Sequence, residues 1–385
     1  MAENPQTPRT TDVIVIGGGI IGSSIALRLA QGGLKVLVLD KGEPGAEASS
    51  AAAGMLAPQG ETLEPDAFFA LCAASHGLYR NFVAEIESLS GHSVGYRRDG
   101  SLLVAIEEKE VAELERLYWA QTRSGLPLER LTPDAVHRKV PGLAEEIRAA
   151  LGISEDHWVD NERLTQAVIE AARRLGVTFC ARRPVTRLNI HSGKIESVEA
   201  AYDNDPAARS LFSAERFVLA AGCWSQSLVA PLGIPLLTQP CRGQMMEFEA
   251  PAPLPHVVRA GIHYLVPREG NAVVVGTTAE YVDFEKQVTG EGLQSILNGV
   301  SRLAPFLKNC RFRRAWAGLR PDTADHLPIL GYGEVENLAF ATGHFRNGIL
   351  LAPITAQLIS ELILKGAAST AIDAYRPGRF RLPAS

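Results

Sequence analysis

The clearest pattern of apolar and polar positions lies near the start of the chain. Residues 13–16 form a short apolar run rich in β-branched side chains, which is typical of a strand buried on both faces. Apolar residues then recur at helical spacing through Ile21, Ile25 and Leu29. A second apolar run follows at 35–39. This order of strand, helix and strand predicts a parallel βαβ unit.

The turn between the first strand and the helix has the spacing G-x-G-x-x-G, at Gly17, Gly19 and Gly22. The first glycine permits a tight turn, the second lets the backbone approach a pyrophosphate, and the third lets the helix pack closely on the strand. Asp40 ends the second strand, at the distance expected of an acid that holds a ribose hydroxyl. The amides and positive dipole of the helix N-terminus favour phosphate. The unit therefore predicts a dinucleotide site.

Residues 41–59, KGEPGAEASSAAAGMLAPQ, form a long segment dense in Gly, Ala and Ser. Such a segment is either a flexible surface linker or a wall against which a bulky planar ligand lies. The apolar tail at 54–57 favours the wall, because linkers seldom contain Met and Leu.

The middle of the chain changes from alternating strands and helices to closely spaced strands. Helical spacing predicts helices at 66–89, 107–124 and 162–175, and apolar runs predict strands at 96–106, 177–179, 194–200 and 215–222. The last of these strands ends in Ala-Ala-Gly, which leaves room for a ligand at its carboxyl end. Strand-rich sequence at 236–276 predicts an antiparallel sheet and hence a second domain.

The C-terminal part repeats the order of strand, glycine turn and helix. A strand is predicted at 338–342, a turn at 343–348 and an apolar helix at 349–364. This arrangement presents a second helix N-terminus to a ligand. Two such helix starts at opposite ends of the chain imply one extended cofactor, as FAD would be.

Composition narrows the class of protein. A chain of 385 residues favours two domains, and 46% hydrophobic with 21% charged residues is ordinary for a soluble protein. A net charge of −5 does not indicate a surface that binds nucleic acid. No apolar run reaches the ~18 residues of a membrane span. Residues 1–11 lack the apolar stretch of a secretory leader. Five scattered cysteines without C-x-x-C spacing predict neither disulfides nor a metal site, so we expect a cytoplasmic protein.

Six strings give the chain a family resemblance: VIGGGIIGSSIA, SSAAAGMLAP, YLVPR, VVVGTT, WAGLRPDT and GHFRNGILLAP. The chain resembles the D-amino-acid-oxidase-like flavoproteins, and within them the glycine oxidases of bacterial thiamine biosynthesis. We therefore expect an α/β fold with two domains. One is a three-layer, Rossmann-like FAD-binding domain with a mostly parallel sheet, from 10–85, 155–225 and 310–376. The other is a substrate domain with a mainly antiparallel sheet, from 86–154 and 226–309.

The resemblance also implies site residues. Besides the three motif glycines, noncovalent FAD would contact Ile20, Ile21, Asp40, Lys41, Ala48, Ser49, Ala53, Gly54, Met55, Val185, His344, Phe345, Arg346, Asn347, Gly348, Ile349 and Leu350. No cysteine follows Cys310, so a flavin tethered to a C-terminal cysteine is not expected. Arg320 would grip the substrate carboxylate, with Arg346, Tyr264 and Met55 nearby.

The expected activity is oxidation of glycine, sarcosine or small D-amino acids to glyoxylate, ammonia or amine, and H2O2, by a homotetramer that uses O2. Hydride transfer to flavin needs no protein base, whereas a carboxylate calls for a bidentate guanidinium. We interpret the segment around Arg320 as a turn flanked by Trp and Gly. Two alternatives remain: a dehydrogenase that passes electrons to a quinone or another protein, and a non-catalytic FAD- or nucleotide-binding sensor, against which Arg320 argues.

Two positions depart from the glycine oxidase pattern. Ala279 stands where a methionine is expected, and Ile262 stands where a histidine is expected, with His263 next to it. A smaller side chain and a displaced imidazole would widen the pocket, so the choice among glycine, sarcosine, D-alanine and D-proline stays open.

Overall fold

The computed structural model describes residues 9–202 and 205–380. Most of the segment 1–11, for which no secretory leader is expected, therefore lies outside the described residues. The strands are β1 (Thr10–Ile16), β2 (Val36–Leu39), β3 (Met55–Leu56), β4 (Ser101–Ala105), β5 (Glu129–Leu131), β6 (Ala149–Ile153), β7 (His157–Trp158), β8 (Thr178–Cys180), β9 (Val185–His191), β10 (Lys194–Tyr202), β11 (Asp205–Leu219), β12 (Thr238–Glu249), β13 (Val257–Ala260), β14 (His263–Pro267), β15 (Ala272–Gly276), β16 (Arg311–Thr323), β17 (Ile329–Tyr332) and β18 (Leu338–Thr342). The helices are α1 (Ile20–Gln31), α2 (Ala48–Ala51), α3 (Ala67–Ser90), α4 (Glu108–Arg123), α5 (Pro133–Lys139), α6 (Asn161–Arg174), α7 (Ser225–Val229), α8 (Gly290–Leu303) and α9 (Gly348–Lys365).

The first sheet has the order β17-β18-β11-β1-β2-β8, and β9 and β10 extend from β11 as antiparallel strands. Pairing is parallel from β18 to β8, while β17 is an antiparallel edge strand. One face packs against α1, α3, α6 and α9 through a continuous apolar core. The other face packs against β9, β10 and α7. This gives the predicted three layers.

The second sheet has the order β16-β12-β15-β14-β13-β4-β6-β5. Its pairs are antiparallel except for β13 with β4. A separate apolar core lies beneath it, to which α5 and α8 contribute. The fold class predicted from the sequence, with one mostly parallel and one mainly antiparallel sheet, is confirmed.

Strand pairing and helix limits bear on two of the predicted domain boundaries. Residues 310–376 were assigned to the FAD-binding domain, but β16 pairs along its whole length with β12 in the second sheet. The boundary at 85–86 falls inside the continuous helix α3. We propose that the first division lies after α3 and that the last lies at the end of β16.

Helix α9 is, within the described part of the chain, the helix long and apolar enough to cross a membrane by length and composition. Yet 67% of its residues are buried, because it packs against α1 and α3. Tyr79 of α3 donates a hydrogen bond to the Ile349 carbonyl at 2.6 Å. This helix is part of the core.

Candidate active site

A cavity of about 870 Å³ lies at the carboxyl ends of the parallel strands and is also lined by the second sheet. Ile16, Leu39 and Thr342 line it from the ends of β1, β2 and β18. Tyr264 and Arg320 line it from β14 and β16. Open α/β sheets bind ligands at this edge. Its volume is in the range of cofactor and small-molecule sites, about 300–1,000 Å³.

The glycine turn is held by backbone contacts that exclude larger residues. Gly17 has φ of 103°, and a Cβ there would lie 2.4 Å from the Ala220 carbonyl oxygen. A Cβ on Gly22 would lie 2.0 Å from the Gly17 carbonyl oxygen. Gly17 and Gly19 line the cavity, whereas Gly22 lies in the contact between helix and strand. The turn therefore presents bare backbone to a ligand.

Asp40 fastens this turn to the end of β2. Its carboxylate accepts hydrogen bonds from the Gly18 amide at 2.6 Å and the Gly42 amide at 2.8 Å. Beside it, the Lys41 ammonium lies 3.5 Å from the centroid of the Trp224 ring. Asp40 and Lys41 both line the cavity. A carboxylate has about four lone-pair sites, so Asp40 retains capacity for a hydroxyl group.

The small-residue segment is a fixed wall rather than a flexible linker. Asn161 donates to the carbonyls of Ser49 and Ser50 at 2.9 and 3.0 Å. The partly buried Arg268 donates to the Ala53 carbonyl at 2.8 Å. A Cβ on Gly54 would lie 2.0 Å from the Val159 carbonyl oxygen. The cavity is lined from this segment by Ala48, Ser49, Ala51, Ala52, Ala53, Gly54 and Met55.

The C-terminal glycine loop forms a second wall. Lining residues here are His344, Phe345, Arg346, Asn347, Gly348 and Ile349. Leu350, predicted as a contact, does not line the cavity, and its carbonyl accepts a hydrogen bond from Ser75. The His344 imidazole lies 3.0 Å from the Thr355 hydroxyl, and burial lowers its pKa to about 3. His344 is therefore neutral at pH 7.

Arg320 lies on a strand, not in the turn predicted from its neighbours. It pairs with Cys241 across β12 and β16. Its guanidinium donates to the Thr277 hydroxyl at 2.7 Å and the Thr278 carbonyl at 3.1 Å. Both threonines follow β15, on the far side of β12, and Gly243 lies between. A Cβ on Gly243 would lie 2.2 Å from the guanidinium, so that glycine provides the space for the crossing.

Tyr264 is buried beside this guanidinium. It is 7% exposed, and burial raises its pKa, although the positive charges of Arg320 and Arg259 act in the opposite direction. The hydroxyl therefore stays protonated at neutral pH. Arg259, its cross-strand partner, lines the cavity and lies 3.5 Å from the Glu61 carboxylate.

Thr277, Arg259 and Glu61 were not predicted. The string VVVGTT marks Thr277 only as part of a family motif, and Arg259 shares the face of Tyr264 through the register of β13 on β14.

The remaining predicted residues lie nearer the mouth. The Arg346 side chain is 51% exposed, with the Glu61 carboxylate 3.9 Å away. Ile262 and Ala279 line the cavity, whereas His263 does not. The His263 ring packs on Gly299 of α8, where a Cβ would meet it at 2.2 Å. Its imidazole therefore does not replace the histidine expected at position 262.

These residues fit an extended dinucleotide that carries a planar ring system. Bare backbone and the α1 N-terminus suit a pyrophosphate at one end, and Asp40 suits a ribose. Val185 of β9 also lines the cavity there. Small residues and the α9 N-terminus suit a flat ring at the other end. Among the described residues, no group of three or more His, Cys, Asp or Glu is arranged to hold a metal ion.

Comparison with known proteins agrees with this assignment. Glycine oxidase of Bacillus licheniformis is 32% identical over 96% of this chain and 97% of its own length. The bifunctional protein ThiO/ThiG of Synechocystis is 38% identical over 96% of this chain, which spans only 54% of that relative. The crystal structure of glycine oxidase from Geobacillus kaustophilus matches with a TM-score of 0.90 at 30% identity, covering 97% of this chain and 100% of that one.

The family model for FAD-dependent oxidoreductases, DAO, matches residues 12–362. That range contains both helix N-termini that face the cavity, the small-residue wall and Arg320. The chain belongs to the family of FAD-dependent oxidoreductases, and FAD is its cofactor.

Proposed function

We propose that this protein oxidises glycine, and also sarcosine and small D-amino acids, to the corresponding imine. The observation that carries the proposal is the Arg320 guanidinium, fixed by two hydrogen bonds and presented to the cavity beside Tyr264. A planar guanidinium in such a position suits bidentate binding of a carboxylate. Glycine oxidases that match nearly the whole chain support this substrate class.

Each part of the cavity has a proposed role. The glycine turn and the α1 N-terminus hold the pyrophosphate, and Asp40 holds the ribose. The small-residue wall and the C-terminal loop would hold the flavin ring noncovalently. Arg320 binds the substrate carboxylate, and Tyr264 and Met55 cover the substrate. Arg346 acts at the mouth, because half of its side chain is exposed.

The proposed hydride transfer needs no acid or base from the protein. Bound FAD supplies the acceptor for the hydride that leaves the substrate Cα. Arg320 and Tyr264 orient the substrate, and the buried wall excludes water while the hydride moves. His344 does not act as a base, since its ring faces Thr355 inside the core. The imine then hydrolyses to glyoxylate and ammonia.

We also propose an electron acceptor, a location, an oligomeric state and a pathway for this protein. O2 accepts the electrons and yields H2O2, and the protein works in the cytoplasm as a homotetramer. The match to ThiO/ThiG proteins, of which this chain spans about half, favours supply of the imine for thiazole synthesis in thiamine biosynthesis. Ala279 at the cavity wall favours substrates somewhat larger than glycine.

A spectroscopic experiment tests the reaction. The purified yellow protein is mixed with glycine without O2, and the flavin absorbance is expected to bleach. Admission of air should restore the colour and release H2O2 and glyoxylate in equal amounts. Absence of bleaching with glycine, sarcosine and D-alanine would refute amino-acid oxidation, while bleaching without H2O2 would identify a dehydrogenase.

A further inference from the structure

A group of polar residues lies behind Arg320, on the side of the second sheet away from the cavity. Its centre is Glu280, which follows the two threonines that hold the guanidinium. Neither Glu280 nor its partner Arg242 lines the cavity. These residues therefore touch neither substrate nor cofactor.

The Glu280 carboxylate gathers three donors. The Thr278 hydroxyl donates to it at 2.5 Å, and the Gln244 side chain donates at 2.8 Å. The Arg242 guanidinium forms an ion pair with its second oxygen. Partial burial acts to raise the pKa of Glu280, but these bonds together outweigh it and lower the pKa. The carboxylate is therefore ionised and held from three sides.

Gln244 joins this group to the rest of the sheet. Its backbone amide donates to the Thr278 hydroxyl at 3.0 Å, and its side chain exchanges hydrogen bonds with Thr289 at the start of α8. Arg242 is 4% exposed and also donates to the Glu285 carbonyl at 3.1 Å. Charge-assisted bonds of this kind are stronger and more directional than neutral ones.

The two sets of bonds meet at Thr278. Its carbonyl accepts from Arg320 on the cavity side, and its hydroxyl donates to Glu280 on the far side. A shift of this residue would turn the Arg320 fork away from its present direction. A misdirected fork binds a carboxylate through one bond instead of two.

We propose that the Arg242–Glu280 ion pair is a positioning device for the substrate carboxylate, acting through Thr278 on Arg320. The proposal rests on the proposed function, because it takes Arg320 as the group that binds the carboxylate. Glu280 and Arg242 are positioning residues, and they should affect the affinity for every carboxylate ligand alike.

Glu280→Gln keeps the size of the side chain and removes its charge. The KM for glycine and the Kd for glycolate, a carboxylate without an amine, should rise together by about tenfold, as expected for loss of charge-assisted bonds. Glycolate binding to the holoprotein is read from the flavin spectrum without turnover. The FAD content should stay near that of the wild type, whereas the melting temperature should fall, because Arg242 keeps a buried charge without its partner.

Thr278→Val serves as a second variant if Glu280→Gln fails to fold, since it removes only the hydroxyl link. Glu249→Gln is the matched control: this carboxylate also pairs with arginines, at the end of β12, and should leave KM and Kd unchanged.

Coupling to Arg320 separates positioning from general damage. In an Arg320→Lys background, Glu280→Gln should change the glycolate Kd by less than about twofold, because the fork on which it acts is gone. A full tenfold effect in that background, or an unchanged Kd in the single variant, would overturn the inference. Failure of the proposed function would appear differently, as a wild-type protein that oxidises no amino acid.

Discussion

The two ends of the cavity differ in the atoms that line them: one end is mainly backbone and the other is mainly side chains. The end near β1 and β2 is backbone, with Gly17 and Gly22 in contacts that leave no room for a Cβ. The end near β14 and β16 is made of side chains, above all Arg320 and Tyr264, which strands of the second sheet present. The first end suits a ligand of one fixed kind. The second end can change its ligand by substitution without changing the fold.

The largest expected effect is on the backbone end. In Gly22→Ala the new methyl group would lie 2.0 Å from the Gly17 carbonyl oxygen, so α1 must move away from β1. We expect overpacking of about 1–3 kcal/mol or more and loss of bound FAD. Flavin absorbance per mole of purified protein measures this. Gly77→Ala is the control, since no atom lies within 4 Å of its Cβ, and a variant that stayed fully yellow would contradict the tight contact.

Substitutions at the side-chain end should lower the catalytic rate rather than the FAD content. Arg320→Lys keeps the charge but loses the planar fork. We expect kcat/KM for glycine to fall at least about a hundredfold, because a disrupted buried charge pair costs ~2–5 kcal/mol. The FAD content and spectrum should stay normal. Near wild-type turnover would move the carboxylate clamp elsewhere, with Arg346 the next candidate.

A variant at Asp40 tests whether its carboxylate binds FAD as well as the backbone amides of the glycine turn. Asp40→Ala removes the acceptor of the Gly18 and Gly42 amides. The Kd for FAD should rise about ten- to a hundredfold, since hydrogen bonds to a charged group contribute ~1.5–3 kcal/mol. Flavin fluorescence during titration of the apoprotein gives this value. An unchanged Kd would remove Asp40 from the cofactor site.

A variant at Ala279 tests whether a substitution at the side-chain end changes the preference among substrates. Ala279→Met should lower kcat/KM for D-alanine relative to glycine by about tenfold or more, as one or two methylenes decide ~1–3 kcal/mol in an apolar pocket. Steady-state kinetics with both substrates measure the ratio. Equal losses for the two substrates would show that position 279 does not face the substrate.

The last predictions concern pH, for which two buried groups, His344 and Asp156, should act with opposite sign. Burial lowers the pKa of His344 from 6.5 to about 3, so the unfolded chain binds the extra proton and His344 makes stability rise with pH in that interval. Burial raises the pKa of Asp156, which lies beneath Gly60 and near Arg259, from 3.8 to about 7. The native state then binds the extra proton, so Asp156 makes stability fall as pH rises through that interval.

Melting temperatures of two variants measure these slopes. Relative to the wild type, Asp156→Asn should gain stability as pH rises from 4 to 7, by at most about 1.4 kcal/mol per pH unit. His344→Gln should lose relative stability as pH rises from 3 to 6.5. Equal slopes in both variants and the wild type would contradict the assignment of these two groups.

The backbone end could be predicted because its pattern is local. The glycine spacing, the apolar run before it and Asp40 after it lie within one βαβ unit, which fixes their geometry. The turn predicted around Arg320 was wrong, because the Trp and Gly residues before it suggested a turn where the chain forms a strand. Gly318 instead packs on Ala51, and Gly243 makes room for the guanidinium.

The partners of Arg320 could not be predicted for a different reason. Thr277 reaches it only through the registers of β15 on β12 and of β12 on β16. Register between distant strands is not written in any short pattern, and a shift by one residue would turn each side chain to the opposite face.

The separation of the two glycine loops along the chain has a consequence for synthesis in the cell. The cavity takes residues from Ile16 to Ile349, and α1 packs directly on α9. At about 5–20 residues per second, a ribosome needs tens of seconds to deliver the second loop after the first. Throughout that time the nascent chain has half a cofactor site and an uncovered apolar face. FAD can be held by both loops only after residue 349 has been synthesised, and a shortage of FAD would leave the apoprotein exposed to proteases.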